Sequence, residues 1–130
     1  AEHTSGLVSI GGAFYPTGYV FAMFPRLEDA QQVMSQLPAS SAEKPTLLLA
    51  AQTVLDTLSP TIVAADDPLP SVGVEGASVR EYVDLAGQGH CALMVYASKA
   101  EESDVLMALV RTVPFSCAKK YRMLVIEDLR

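Results

Sequence analysis

The sequence predicts a single α+β domain: a four-stranded antiparallel sheet with helices packed on it. Three observations carry that expectation. A strand-then-helix pattern occurs twice, YVFAMF before LEDAQQVMSQL and CALMVYA before SKAEESDVLMALVRTV, and the second copy closes in a further apolar run, YRMLVI. Prolines stand at the joints: Pro25 after the first apolar run, Pro38 after the first helix, Pro60 after the middle segment and Pro114 after the last helix. At 130 residues, half of them hydrophobic and 18% charged, the chain is long enough for one core and too apolar for disorder.

In chain order, residues 1–16 read as an arm, in which Leu7–Ile10 is a candidate edge strand, and residues 17–130 as the domain. Tyr19–Phe24 is rich in aromatic residues and suits a central strand. Leu27, Ala30, Val33, Met34 and Leu37 then recur on one helical face. In PTLLLAAQTVLDTL the leucine triplet suits a short strand at 46–49, and Val54, Leu55 and Leu58 suit a helix near 50–58. Residues 60–75, with three prolines and the Asp66-Asp67 pair, read as the longest irregular connection. Ser78–Ala86 makes a helix closed by Gly87 or Gly89. Cys91–Ala97 is too short for a helix and apolar on both faces, as a covered strand is.

The last helix carries the fullest punctuation. Ser98 is its expected N-cap, with Glu101 at capping-box spacing. Glu101, Glu102 and Asp104 place negative charge where the helix dipole favours it. Val105, Leu106, Leu109, Val110 and Val113 form the expected apolar stripe, and Arg111 sits in the last turn. Tyr121–Ile126 reads as the closing strand, ended by Glu127-Asp128.

Two strand–helix–strand halves in so short a domain imply the split-βαβ, ferredoxin-like arrangement, here with extra middle helices. Helices on one side cover only one face of its sheet. Tyr19, Phe21 and Met23, with Met94 and Tyr96 of the Cys91–Ala97 strand, are then the expected interface of a homodimer, unless the middle helices or the arm cover them.

The order of YVFAMF, LEDAQQV, LLLAAQTVLDTL, the Gly87-Gln88-Gly89 turn, the acid-rich last helix and KKYRMLVIEDL resembles the bacterial general-stress or heat-induced stress protein domains. The likeness spans roughly residues 18–129 and rests on pattern; the glycine-rich repeat of some relatives is absent. What it implies is a ferredoxin-like, stress-linked cytoplasmic protein, with no catalytic residue to carry over.

Composition narrows the function classes. A net charge of −6 opposes nucleic acid and anionic membrane as partners, and no apolar stretch approaches the roughly 20 residues that span a bilayer. The opening AEHTSGLVSIGG lacks a basic region and a long apolar core, so it does not read as a signal peptide. Cys91 and Cys117 form no CxxC pair and read as reduced thiols of a cytoplasmic protein.

Motifs that carry chemistry are few. Thr17–Phe24 echoes an RNA-binding octamer whose rings stack bases, but Thr17 replaces the basic residue and Val20 the small one, so core packing is the preferred reading. His90 cannot readily activate Cys91, because adjacent strand residues point to opposite faces. Asp66, Asp67, His90 and Cys117 match no standard zinc spacing. Lys119, Lys120 and Arg122 flank Tyr121 as the densest basic cluster and, with His90, are the candidate ligand-binding residues. No catalytic, metal or cofactor site is expected. The expectation is a non-enzymatic homo-oligomer with a small-ligand or regulatory role; the alternative is a small enzyme of the dimeric α+β barrel type, with a pocket near His90, Tyr96 and Tyr121.

Overall fold

A computed structural model describes residues 16–38, 44–65, 73–122 and 125–129, with the side chains of 60–65, 73–76 and 125 outside that description. The expected strand at Leu7–Ile10 and the Asp66-Asp67 pair fall outside it. Its elements run β1 (Tyr19–Phe24), α1 (Leu27–Gln36), β2 (Leu47–Leu49), α2 (Ala51–Ala65), α3 (Gly73–Gly87), β3 (Cys91–Tyr96), α4 (Ala100–Val110), β4 (Cys117–Arg122) and β5 (Val125–Asp128). The protein is therefore α+β, with four helices and one five-stranded antiparallel sheet among the described residues, in the order β2-β3-β1-β4-β5. β1 and β2, joined through α1, lie on either side of β3. β3 and β4, joined through α4, lie on either side of β1. The register is fixed by pairs such as Phe21↔Met94 and Val20↔Lys120.

The expected count of four strands is corrected to five. The closing segment is a hairpin, in which Arg122 pairs with Val125 and Lys119 with Asp128. Apolar patterning alone joined YRMLVI into one run, whereas the polar Cys117–Lys120 half already belongs to β4. Two helix boundaries also differ. α2 continues through Pro60 to Ala65, although an internal proline forfeits a backbone bond and costs about 3 kcal/mol in an isolated helix. α3 begins at Gly73, five residues before Ser78. The irregular connection expected over 60–75 is thus largely helical where it is described.

The sheet's two faces are covered by different helices. On one, Val20, Ala22, Phe24, Leu93 and Val95 pack with Ala30 and Val33 of α1 and with Leu106, Met107 and Val110 of α4. On the other, Tyr19, Phe21, Met23, Ala92 and Met94 pack with Val54 and Leu58 of α2 and with Val79, Tyr82 and Ala86 of α3. Tyr82 stacks on Phe21 with ring centroids 4.0 Å apart, and its hydroxyl meets that of Tyr121 at 2.7 Å. Those two contacts seat α3 over β1 and β4, leaving α2 over β2 and β3.

The face expected to form a homodimer interface is therefore internal. Phe21, Met23 and Met94 have no exposed surface, Tyr19 is buried and Tyr96 is half-buried. The middle helices, one of the three covers the sequence allowed, close the sheet within a single chain. The same burial keeps the Tyr19 and Phe21 rings from presenting an open stacking platform to bases.

Gly18 sets the start of β1. Its φ of +87° is one that L side chains rarely adopt, and a Cβ there would meet Tyr96 Cε1 at 2.5 Å. Its amide donates to Tyr121 O at 2.7 Å and its carbonyl accepts from Ala97 at 3.0 Å, so the residue cannot shift without breaking both neighbours. Gly18→Ala is expected to cost about 2–4 kcal/mol, combining left-handed strain of about 1–2 kcal/mol with displacement of a packed ring. A urea titration reads that loss; a change under about 0.5 kcal/mol would contradict the close approach.

Candidate functional site

α4 does not follow its expected register. Its N-cap is Lys99 and not Ser98, with Glu102 at N3 reaching back to the Lys99 amide at 3.1 Å. The Ser103 hydroxyl donates to Ala97 O at 2.9 Å, tying the first turn to the end of β3. The buried face is Ser103, Leu106, Met107 and Val110, the i, i+3, i+4, i+7 positions of one stripe. Val105, expected in that stripe, stands 51% exposed.

Val105 marks the mouth of a cavity of about 420 Å³ between the C-terminal end of α1, the approach to β2, the end of β3 and the start of α4. That volume lies within the usual range for small-molecule sites. Its walls are largely apolar, from Leu37, Val95, Ala97, Val105 and Leu106, and its polar members are Lys44, Thr46, Tyr96, Glu101 and Glu102. The Lys44 ammonium lies 4.9 Å from the centroid of the Tyr96 ring. Tyr19 meets Tyr96 edge-on at 5.4 Å, and its hydroxyl lies 3.5 Å from Pro45 O. Burial, with the neighbouring Tyr96 hydroxyl adding to it, raises the Tyr19 pKa above the ordinary phenol value. The Tyr96 ring is thus held at its edge by Tyr19 and by the close approach of Gly18, with an ammonium against its face.

The candidate ligand-binding residues of the sequence do not gather. His90 stands at the start of β3, where its Nδ1 lies 2.6 Å from Ser116 Oγ, and Ser116 donates its amide to Met23 O at 2.7 Å. That chain of contacts pins the turn before β3 to the segment before β4. Along β4 the period of two separates the basic residues. Lys119 and Tyr121 face α3, whereas Lys120 lies buried on the other face. Lys119 bridges Glu81 at 3.1 Å and Asp128 at 2.8 Å, and Arg122 lies 3.6 Å from Glu127. The hydroxyl of Tyr121, between them, meets that of Tyr82 in the core. Adjacency in sequence made a cluster of four groups that a strand sends to opposite sides.

Nor do His90, Tyr96 and Tyr121 share a pocket. His90 and Tyr96 lie at opposite ends of β3, and Tyr121 is fully buried beneath α3. Only Tyr96 lines the cavity. Among the described residues no three of His, Cys, Asp and Glu form a metal-ligand group, and no helix is long and apolar enough to cross a membrane.

Both thiols sit in apolar surroundings. Cys117 is pushed up to about 12, chiefly by burial and next by the Glu81 carboxylate. Burial also raises Cys91, whose Sγ lies 3.7 Å from Phe24 O. Neither has the thiolate character that a nucleophile needs.

The cavity's polar residues were hidden in the sequence for separate reasons. Glu101 and Glu102 read as helix punctuation and Val105 as core, while Lys44 falls outside every patterned element of the sequence. The usable signal was that Val105 falls off the stripe set by Ser103, Leu106, Met107 and Val110. Comparison with family models, with curated proteins and with solved structures finds no match for this chain.

Proposed function

We propose that this chain is a non-enzymatic, small-ligand-binding module of ferredoxin-like type, and that its ligand is a small molecule with an apolar body and a cationic amine. The observation that carries the reading is the ammonium seated on the Tyr96 ring, in an apolar cavity whose other charged members are Glu101 and Glu102. Cations are attracted to an aromatic face by the ring quadrupole, with about 0.5–1 kcal/mol at exposed sites and more when desolvated. Two carboxylates against one lysine favour a positive ligand over an anion. A ligand amine would take the position that Lys44 holds and displace its side chain outward.

The ferredoxin-like assignment is supported by the interleaving of β1-α1-β2 with β3-α4-β4; β5 and the α2–α3 pair are additions to it. The order of apolar runs that resembles general-stress domains supports a cytoplasmic, stress-linked regulatory role. In such a role the bound amine would act by stabilising one state of the module.

Phenethylamine tests the reading, titrated into ¹⁵N-labelled protein with 2-phenylethanol as its uncharged counterpart. Shifts confined to Tyr96, Ala97 and the first turn of α4, with the alcohol bound more weakly, are expected. Tyr96→Ala should weaken the amine about two- to five-fold, and Lys44→Ala should strengthen it by freeing the ring. Equal binding of amine and alcohol, or weaker binding after Lys44→Ala, would overturn the cationic assignment.

A further inference from the structure

The two carboxylates that line the cavity are not equivalent. Glu102 Oε1 accepts the Lys99 amide at 3.1 Å, closing the capping box of α4. That bond ties its carboxylate to the backbone of its own helix, where an amide would otherwise lack an acceptor. Glu101 lines the same cavity, is exposed, and has neither a hydrogen bond nor an ion pair among the described residues. Helical spacing separates the pair as well. Glu101 shares its i, i+4 face with Val105, exposed at the mouth, whereas Glu102 shares its own with Leu106, buried in the wall. One turn of α4 thus offers the mouth an apolar side chain and an unpaired carboxylate together. What makes a subsite of them is the cavity itself and the primary ammonium of Lys44, already seated 4.9 Å from the Tyr96 centroid.

We infer that Glu101 is the residue that sets the class of amine: its carboxylate accepts a hydrogen bond from the ligand, selecting a protonated primary amine over a quaternary ammonium on the same apolar body. The inference rests on the cationic-ligand reading and goes one step past it. An aromatic face attracts a cation with or without an N–H, and quaternary ammonium groups are recognised by cages of several rings. Tyr96 is the one ring among the residues that line this cavity. A single ring leaves the rest of the cation to other partners, and Glu101 is the lining carboxylate with no partner of its own. Hydrogen bonds to an ionised acceptor are shorter than neutral ones and about twice as strong. A trimethylated nitrogen carries the same charge, donates nothing to Glu101, and is held farther from it by its methyl groups.

Phenethylamine, its N,N,N-trimethyl derivative and 2-phenylethanol test it, each titrated into ¹³C,¹⁵N-labelled wild-type, Glu101→Gln and Glu102→Gln protein. Glutamine removes the charge at either position, and at 102 it still serves the capping box. The wild-type protein is expected to bind phenethylamine at least about threefold more tightly than the trimethylated form. Glu101→Gln should weaken phenethylamine about three- to fivefold, the scale of an exposed charge pair, and narrow that preference to within about twofold. Glu102→Gln should leave both affinities within about twofold. In the wild-type protein the side-chain carboxyl carbon of Glu101 should shift with phenethylamine and stay in place with the alcohol. A trimethylated form bound as tightly as phenethylamine would overturn the inference and leave the cationic reading standing. So would a loss carried by Glu102→Gln and absent from Glu101→Gln. Equal behaviour of phenethylamine and 2-phenylethanol towards the wild-type protein would instead remove the cationic reading, and the inference with it.

Discussion

Met94→Asp is expected to unfold the domain. Met94 lies fully buried at the centre of β3, paired with Phe21 on one side and Leu47 on the other, beneath α2 and α3. A carboxylate there has no water, and the core cluster around it is made of apolar side chains and tyrosine rings. Burying such a group and losing the methionine's packing costs upwards of about 4 kcal/mol, a large share of the 5–15 kcal/mol that holds a typical domain together. Val105→Asp, at the exposed mouth of the cavity, should change stability by no more than about 0.5 kcal/mol. Circular dichroism and urea titration of the two variants read the contrast directly. A folded Met94→Asp protein with a wild-type midpoint would mean that this face of the sheet is open and that α2 and α3 do not cover it.

That contrast also shows how far patterning reached. β1, β3, α1 and α4 were legible because each is a continuous apolar run or a clean helical stripe bounded by proline or acidic residues. That both faces of β1 and β3 need a cover was legible for the same reason. What covers them was left open among the middle helices, the arm and a second subunit, because only 50–58 and 78–86 read as helix, while Pro60 and the prolines after it made 60–75 read as loop. Tertiary contact overrode that preference: α2 and α3 pack on each other as well as on the sheet. β5 was missed because β4 exchanges an apolar period for a polar one at Lys119-Lys120, where each lysine has a partner or a packed stem that only the fold supplies. The cavity was hidden for a related reason, since its lining comes from the ends of four elements and no stretch of sequence contains more than a few of its members.

Alkaline pH should destabilise the protein well before it affects an ordinary domain of this size, and Cys117 leads the effect. Its thiol is raised from about 9 to about 12 in the folded chain by burial and by Glu81. The unfolded chain therefore releases this proton at lower pH than the folded one. Stability is complete below pH 9 and is lost as pH rises towards 12, by as much as about 1.4 kcal/mol per unit, or roughly 4 kcal/mol over the interval. Three further groups act with the same sign. Burial raises Cys91. Burial, together with the Tyr121 hydroxyl, holds Tyr82 well above the usual phenol range. Burial alone would lower Lys119, but its hydrogen bonds to Asp128 and Glu81 outweigh that and raise it, so its ion pairs also weaken only as pH climbs past 10.5. Thermal melts from pH 8 to 11.5 are expected to show a midpoint that starts to fall near pH 9 and steepens above 10. Cys117→Ala should reduce the decline between pH 9 and 10 and make it shallower above 10, where the part due to Tyr82 remains, because that phenol ionises more readily in the unfolded chain than in the folded one. An unchanged midpoint up to pH 11 would contradict the burial of Cys117 and of the Tyr82 ring between α3 and the sheet, and with it the seating of α3 on β1 and β4.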